Sequence, residues 1–152
     1  MAEKKDPPYF MYFPGNYRWS AAFINMLGSA PYGGSEIGEL HKIGALLRGK
    51  APEDDEAWFD ACLKVADGVR GYADRFDKGG HRHAASHAYL RACNYYQMAE
   101  RFRTPKDKKA LSAFKQGVNY ASGSKSRSWA RLSGRRGRVR TSWLAIRSTS
   151  VP

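Results

Sequence analysis

The chain has little cysteine, no long apolar run and, beyond residue 118, no acidic residue at all. Two cysteines in 152 residues exclude a disulfide scaffold. Cys62 and Cys93 fall inside predicted helices, on or near their apolar faces, and read as reduced core thiols. No stretch approaches the roughly 20 apolar residues of a membrane span. The opening, MAEKKDPPYF, carries charge but no apolar segment after it, so no secretion signal is read there and a cytoplasmic location is expected. No segment alternates between apolar and polar residues as a half-buried strand would, which leaves helices to build the fold.

What is present is a globular composition, 42% hydrophobic and 13% aromatic, with length enough for one core. The clearest element is a helical hairpin from residue 54 to about 103. In its first half Trp58, Cys62, Val65, Val69, Tyr72 and Phe76 recur at steps of four and three. In its second half Ala85, Ala88, Ala92, Tyr95, Ala99 and Phe102 do the same. Each row keeps to one helix face, one bulky and one small, so the two helices are expected to pack closely and antiparallel. Asp77-Lys78-Gly79-Gly80 is the stop signal between them.

Three further helices are predicted around the hairpin. Pro14-Gly15-Asn16 breaks an aromatic cluster as a turn, and a helix from about Tyr17 to Ser29 follows, with Trp19, Ala22, Phe23, Met26 and Leu27 on one face. Ser35 is read as the N-cap of a helix from Glu36 to about Arg48, whose apolar residues are Ile37, Leu40, Ile43, Ala45 and Leu47. Asp54, Asp55 and Glu56 open the hairpin where acids favour a helix start. After Thr104-Pro105, Asp107 to about Val118 reads as a fifth helix, with Ala110, Leu111, Phe114 and Val118 on one apolar stripe. The expected fold class is all-α, a bundle of about five helices over residues 1–118.

Residues 119–152 change character. They hold eight of the 26 Lys and Arg residues and none of the 14 acids, in a Ser/Arg/Gly-rich mixture without helical or strand period. Three readings compete: a basic arm whose arginines neutralise phosphates and whose tryptophans stack on bases, a disordered tail, and the product of a shifted reading frame that ends the protein early.

Few residues offer chemistry. His81, His83 and His87 cluster at a helix start, and His83 and His87 share a face, but Ala84 stands where a zinc-protease motif needs glutamate, so they read as exposed polar residues and no metal is expected. The acids at 54–56 and Asp60 read as dipole and solvent partners. Ser20 and Ser35 lack a nucleophile elbow, because Gly-x-Ser-x-Gly occurs nowhere. Gly33-Gly34 has no lysine to complete a phosphate loop and reads as a turn. Arg18, Trp19, Asn94 and Tyr96 are the candidate pocket residues, polar tips beside apolar seams. No cofactor is expected.

Four segments together resemble a known family. They are the Trp19-Ser20 helix start, APYGGSEIGELHKIGALLRG at 30–49, DDEAWFDACLKVADGVRGYAD at 54–74 and GHRHAASHAYLRACNYYQMAERF at 80–102. The run Ala-Tyr-Leu-Arg-Ala-x-Asn-Tyr-Tyr at 88–96 is the most specific piece. They are similar to the N-terminal helical region of a group of α/β-hydrolases that includes 2,6-dihydroxypseudooxynicotine hydrolase and the fermentation-respiration-switch-type esterases. The resemblance covers roughly residues 9–118. It implies a helical cap over a catalytic α/β domain that carries a serine, an acid and a histidine, and substrates that are esters or a carbon–carbon bond beside a ketone. None of that domain's residues is present here, and the departure near Asn119 coincides with the break in composition. The resemblance therefore implies a hydrolase truncated before its catalytic domain, inactive alone, with Arg18, Trp19, Asn94 and Tyr96 as substrate-binding candidates and the missing domain as partner. An exposed apolar patch and self-association, with dimer contacts, are expected to follow.

Two rivals come from other classes. The Ala/Tyr hairpin pattern suits a tetratricopeptide-like interaction module, but no 34-residue self-similarity supports it. The tail as a nucleic-acid arm makes a separate prediction: deleting residues 119–152 abolishes binding to nucleic acid, and affinity in the full chain falls steeply with salt. A filter-binding titration at several salt concentrations decides it, and absent or salt-independent binding rejects the arm.

Overall fold

The computed structural model describes residues 10–120, and no strand occurs among them. Its helices are α1 (Tyr17–Gly28), α2 (Ile37–Leu47), α3 (Asp55–Lys78), α4 (Arg82–Glu100) and α5 (residues 108–120), with a short 3-10 turn at Ala30–Tyr32. This is the all-α bundle expected from the sequence. No described helix is long and apolar enough to cross a membrane. Residues 1–9 and the tail from 121 onward lie outside the described residues; Asn119 and Tyr120 continue α5.

Helices α3 and α4 form the broadest contact in the fold. Asp74 meets Tyr89 and Asp67 meets Tyr96. Seven residues back on α3 match seven residues forward on α4, so the pair is antiparallel and in register every two turns. The alanine seam is as expected: Ala85, Ala88, Ala92 and Ala99 are all buried. The bulky seam ends early. Tyr72 and Phe76 are substantially exposed, and the small Ala66 and Ala73 are buried in their neighbourhood instead. Tyr72 borders the space between α2 and α3 without being enclosed by it, and Phe76, one turn further on, is likewise left uncovered. Gly80, at φ +77°, makes the left-handed residue of the turn.

The caps differ in detail from the sequence reading. Asn16, expected only in a turn, is the N-cap of α1: its side-chain oxygen accepts from the Trp19 amide at 3.1 Å. Ser35 does not cap α2; Glu36 holds that position, and the Ser35 hydroxyl donates to the Met26 carbonyl at 2.6 Å, fastening the loop to the end of α1. Asp54 caps α3 by accepting from the Ala57 amide at 2.8 Å. In α2 Leu40, Ile43 and Leu47 are buried, whereas Ile37 and Ala45 face solvent. Gly44 sits mid-helix because the Tyr12 ring lies against it: a Cβ there would stand 2.5 Å from Tyr12 Cε1.

The fifth helix corrects the sequence reading most plainly. Of its expected stripe only Ala110 is buried; Leu111, Phe114 and Val118 are 48%, 46% and 41% exposed. Helix α5 docks instead by its small residues, Ala110, Ala113 and Gly117, which are all buried. A Cβ on Gly117 would stand 3.2 Å from the Cys93 carbonyl oxygen and 3.3 Å from Tyr96 Cβ. A Leu or Phe at that contact would hold the two helices apart, so close approach to α4 leaves the larger residues outside.

Two glycines therefore predict opposite outcomes. Gly117→Leu forces α5 off backbone atoms and is expected to cost about 1–3 kcal/mol. Gly68→Ala, in α3, meets nothing within 4 Å and is expected to stabilise by about 0.5–1 kcal/mol. Urea unfolding of the two variants beside the parent measures both, and equal midpoints contradict the docking described.

Candidate functional site

The candidate residues are held by different parts of the bundle. Arg18, at the start of α1, forms a two-pronged ion pair with Asp55, at 2.8 and 3.1 Å, and its guanidinium lies 4.4 Å over the Phe102 ring. It thereby ties α1 to the first turn of α3 and to the chain after α4, while remaining half exposed. An exposed pair of this kind contributes roughly 0–1 kcal/mol, so its side chain is available to another anion.

Trp19 is buried, tilted against Trp58 with ring centroids 5.8 Å apart, and edge-on to Phe13. The Trp58 indole donates to the Met98 carbonyl at 2.8 Å. The Trp19 indole N–H is buried without an acceptor among the described residues. Trp19 also forms part of the wall of a cavity of about 380 Å³, together with Tyr12, Phe13, Asn16, Arg48 and Lys50. An unsatisfied buried donor costs about 1–3 kcal/mol.

Asn94 is partly buried in α4 and donates from Nδ2 to the Gly34 carbonyl at 2.8 Å. This contact explains the paired glycines. Gly33 turns at φ +73°, and a Cβ on Gly34 would stand 2.5 Å from Asn94 Nδ2. The pair is thus a turn pressed against α4. Tyr96 is fully buried, and its hydroxyl donates to Asp67 at 2.5 Å. Tyr95 points to the other side, donating to Glu39 at 2.8 Å and accepting from the Glu36 amide at 3.0 Å. Consecutive helical residues diverge by about 100°, so both can be buried only if α4 is covered on two faces, by α1, the Gly33–Gly34 turn and the start of α2 on one and by α3 with α5 on the other. The structure does not gather the four candidates at one cavity. Trp19 lines one, Arg18 and Asn94 keep accessible surface elsewhere, and Tyr96 lies between helices.

Sequence reasoning missed Arg91. It is largely buried, pairs with Glu39 at 3.0 Å and Glu36 at 3.3 Å, and with Tyr95 forms a network joining α2 to α4. Its place in the Ala-Tyr-Leu-Arg-Ala run was visible, but its acidic partners lie more than 50 residues away. Arg103 forms a second junction: it bonds to Glu56 and Asp107 and lies 4.6 Å over Phe59. Its hydrogen bond holds the exposed Asp107 carboxyl below the usual carboxylate range.

These groups bind and position; none is set up as a nucleophile. Ser20 donates to the Phe13 carbonyl at 3.2 Å and Ser35 to Met26, so both buried hydroxyls are engaged with backbone. Cys62 and Cys93 are buried and not joined in a disulfide, as expected, and burial pushes the Cys62 thiol well above its ordinary value, holding it protonated. His83 and His87 stack edge to face at 4.6 Å on the surface. Among the described residues no group of three or more His, Cys, Asp or Glu is placed to hold a metal.

No family model matches the chain. It is similar to part of several curated fungal hydrolases. It is 34% identical over 98 residues to the alpha/beta hydrolase ucsC of an Acremonium species, a match covering 61% of this chain and 19% of that protein. It is 37% identical over 111 residues to the hydrolase acrC of Aspergillus aculeatus, covering 72% of this chain and 25% of the relative. It is 35% identical over 100 residues to the 20-hydroxy-prefusarin hydrolase FUS2 of Gibberella moniliformis, covering 64% and 23%. The chain thus corresponds to a quarter or less of the length of these relatives, and it resembles a fragment of an α/β-hydrolase.

The buried tyrosines predict an alkaline limit. Desolvation by burial, before any other cause, raises both Tyr95 and Tyr96 far above the ordinary value of 10.0. In the unfolded chain each ionises near that value, while in the folded chain each keeps its proton. Stability from this source is intact below pH 10.0 and falls as pH rises beyond it. Unfolding free energies measured across that pH are expected to drop more steeply for the parent than for a Tyr95→Phe/Tyr96→Phe variant; parallel curves contradict the assignment.

Proposed function

We propose that residues 10–120 are the helical cap of an α/β-hydrolase acting on an ester or carbon–carbon bond. The observation that carries this reading is similarity to fungal α/β-hydrolases, confined to a fragment of each and falling on a chain whose described residues are all-helical. Cleavage needs an activated nucleophile and an oxyanion site held together. The cap contributes what helices can: a wall that excludes water, apolar surface and a few directed polar groups.

The partner is a catalytic α/β domain. The outward stripe of Leu111, Phe114 and Val118 supports this, being an apolar face left about half exposed on the last described helix. The same stripe suits self-association when no such domain covers it, and homodimer contacts belong to the proposal. Within the cap, Arg18, Trp19, Asn94 and Tyr96 remain the proposed substrate-binding set, in unequal roles. Arg18 offers a charged donor, Trp19 part of a cavity wall and Asn94 a polar edge. Tyr96 acts through the α3–α4 packing it holds.

A chimera tests the reading. Residues 10–120 replace the corresponding segment of the Aspergillus aculeatus relative, and hydrolysis of a p-nitrophenyl ester is followed. Retention of kcat/KM within about tenfold of that relative is expected. In the same chimera Arg18→Ala, Trp19→Phe and Asn94→Ala are expected to raise KM with little change in kcat, and Tyr96→Phe to lower thermal stability as well. A folded chimera without activity defeats the cap assignment, and unaltered kinetics in the variants defeats the residue assignment.

A further inference from the structure

Helices α2 and α3 do not close on each other along their outer edge. They leave a groove of about 470 Å³, walled by Ala45, Leu46, Val65, Gly68, Val69 and Tyr72. That volume falls within the range of small-molecule sites. Most of its surface is apolar, and its floor stays open because Gly68 has no side chain and faces no neighbour within 4 Å. Leu46 and Tyr72, large apolar residues left partly exposed, form its two banks.

The groove carries charge of one sign. Lys42 and Lys64 line it, and neither has an ion-pair partner among the described residues. Glu39 is the one acid in the lining, but its carboxylate is already bonded to Arg91 and to the Tyr95 hydroxyl and is largely buried. An occupant therefore meets an apolar trough with two uncompensated cations.

That combination selects among occupants. The segment from 121 to 152 has eight basic residues and no acid, so the two lysines repel it. A second copy meeting the groove about a two-fold axis sets lysines against lysines. A helix from another protein needs several turns of contact, whereas Lys64 to Tyr72 spans only about 12 Å. We propose that the α2–α3 groove binds a small amphiphile, an alkyl chain ending in a carboxylate, with the chain over Gly68 and the head between Lys42 and Lys64. This site stands apart from the cap reading and does not depend on it.

Calorimetric titration of the full 152-residue chain with decanoate below its micelle concentration tests the site, with decan-1-ol and decyltrimethylammonium as head-group controls. One saturable site is expected, with the cationic amphiphile at least about tenfold weaker than decanoate. Gly68→Leu puts a side chain into the groove where a Cβ meets no neighbour and is expected to abolish binding while unfolding as cooperatively as the parent. Lys42→Glu/Lys64→Glu leaves the trough open and is expected to reverse the head-group preference, which keeps the test valid if Gly68→Leu fails to fold. Absence of saturable binding, equal affinity for the two charged heads, or decanoate binding that survives in folded Gly68→Leu overturns the proposal. A preference unchanged by the charge reversal also overturns it, by placing the carboxylate on the basic tail. An acidic amphipathic peptide that binds where decanoate does not overturns it in favour of a protein-docking surface.

Discussion

Close approach of α4 to its neighbours is the constraint on which the rest of the structure depends. Alanine at 85, 88, 92 and 99 lets its axis come near α3, and glycine at 117 brings α5 onto its backbone. Only at that spacing can the short reach from a tyrosine hydroxyl to an aspartate be made, at Tyr89–Asp74 and Tyr96–Asp67. The polar links are a consequence of small residues and close packing, and they fix the register that the apolar contacts alone would leave loose. Tyr120 completes this arrangement by stacking over both Tyr89 and Tyr96.

How much of this was legible in the sequence follows from the range of each interaction. The hairpin and its alanine seam were readable because a helix face repeats within a few residues. The α5 docking face was not, because hydrophobicity favours Leu111, Phe114 and Val118, while Ala110, Ala113 and Gly117 are the residues buried and Gly117 is pressed against Cys93 and Tyr96. Tyr72 and Phe76 continued the period correctly yet are left substantially exposed. Periodicity shows which residues share a face; it does not show where the opposing surface ends.

The candidate site was legible to a lesser degree. Arg18 and Trp19 were recognisable as unusual side chains at a helix start, and Asn94 as a polar residue beside a seam. Their partners, Asp55, the cavity wall at Arg48 and Lys50 and the Gly34 carbonyl, are distant in sequence. Arg91 shows the same limit from the other side, since a largely buried guanidinium is identifiable only once two glutamates from another helix are seen to balance it. The α2–α3 groove arises from the absence of a side chain at Gly68, and the sequence does not show which face of α3 a neighbour leaves open.

The short turn at Gly79–Gly80 has a consequence for how the chain reaches this structure. Helix α3 ends at Lys78 and α4 begins at Arg82, so the first contacts across the hairpin close loops of only a few residues and cost little chain entropy. Each further pair, from Asp74–Tyr89 to Asp67–Tyr96 and on to Trp58–Met98, lengthens a loop that its neighbours have already closed. The hairpin can therefore zip outward from its turn, while Arg18–Asp55 and Arg91–Glu39 must bring together segments dozens of residues apart. In kinetic terms α3 and α4 supply the template, and α1, α2 and α5 settle on a surface that local contacts have already assembled.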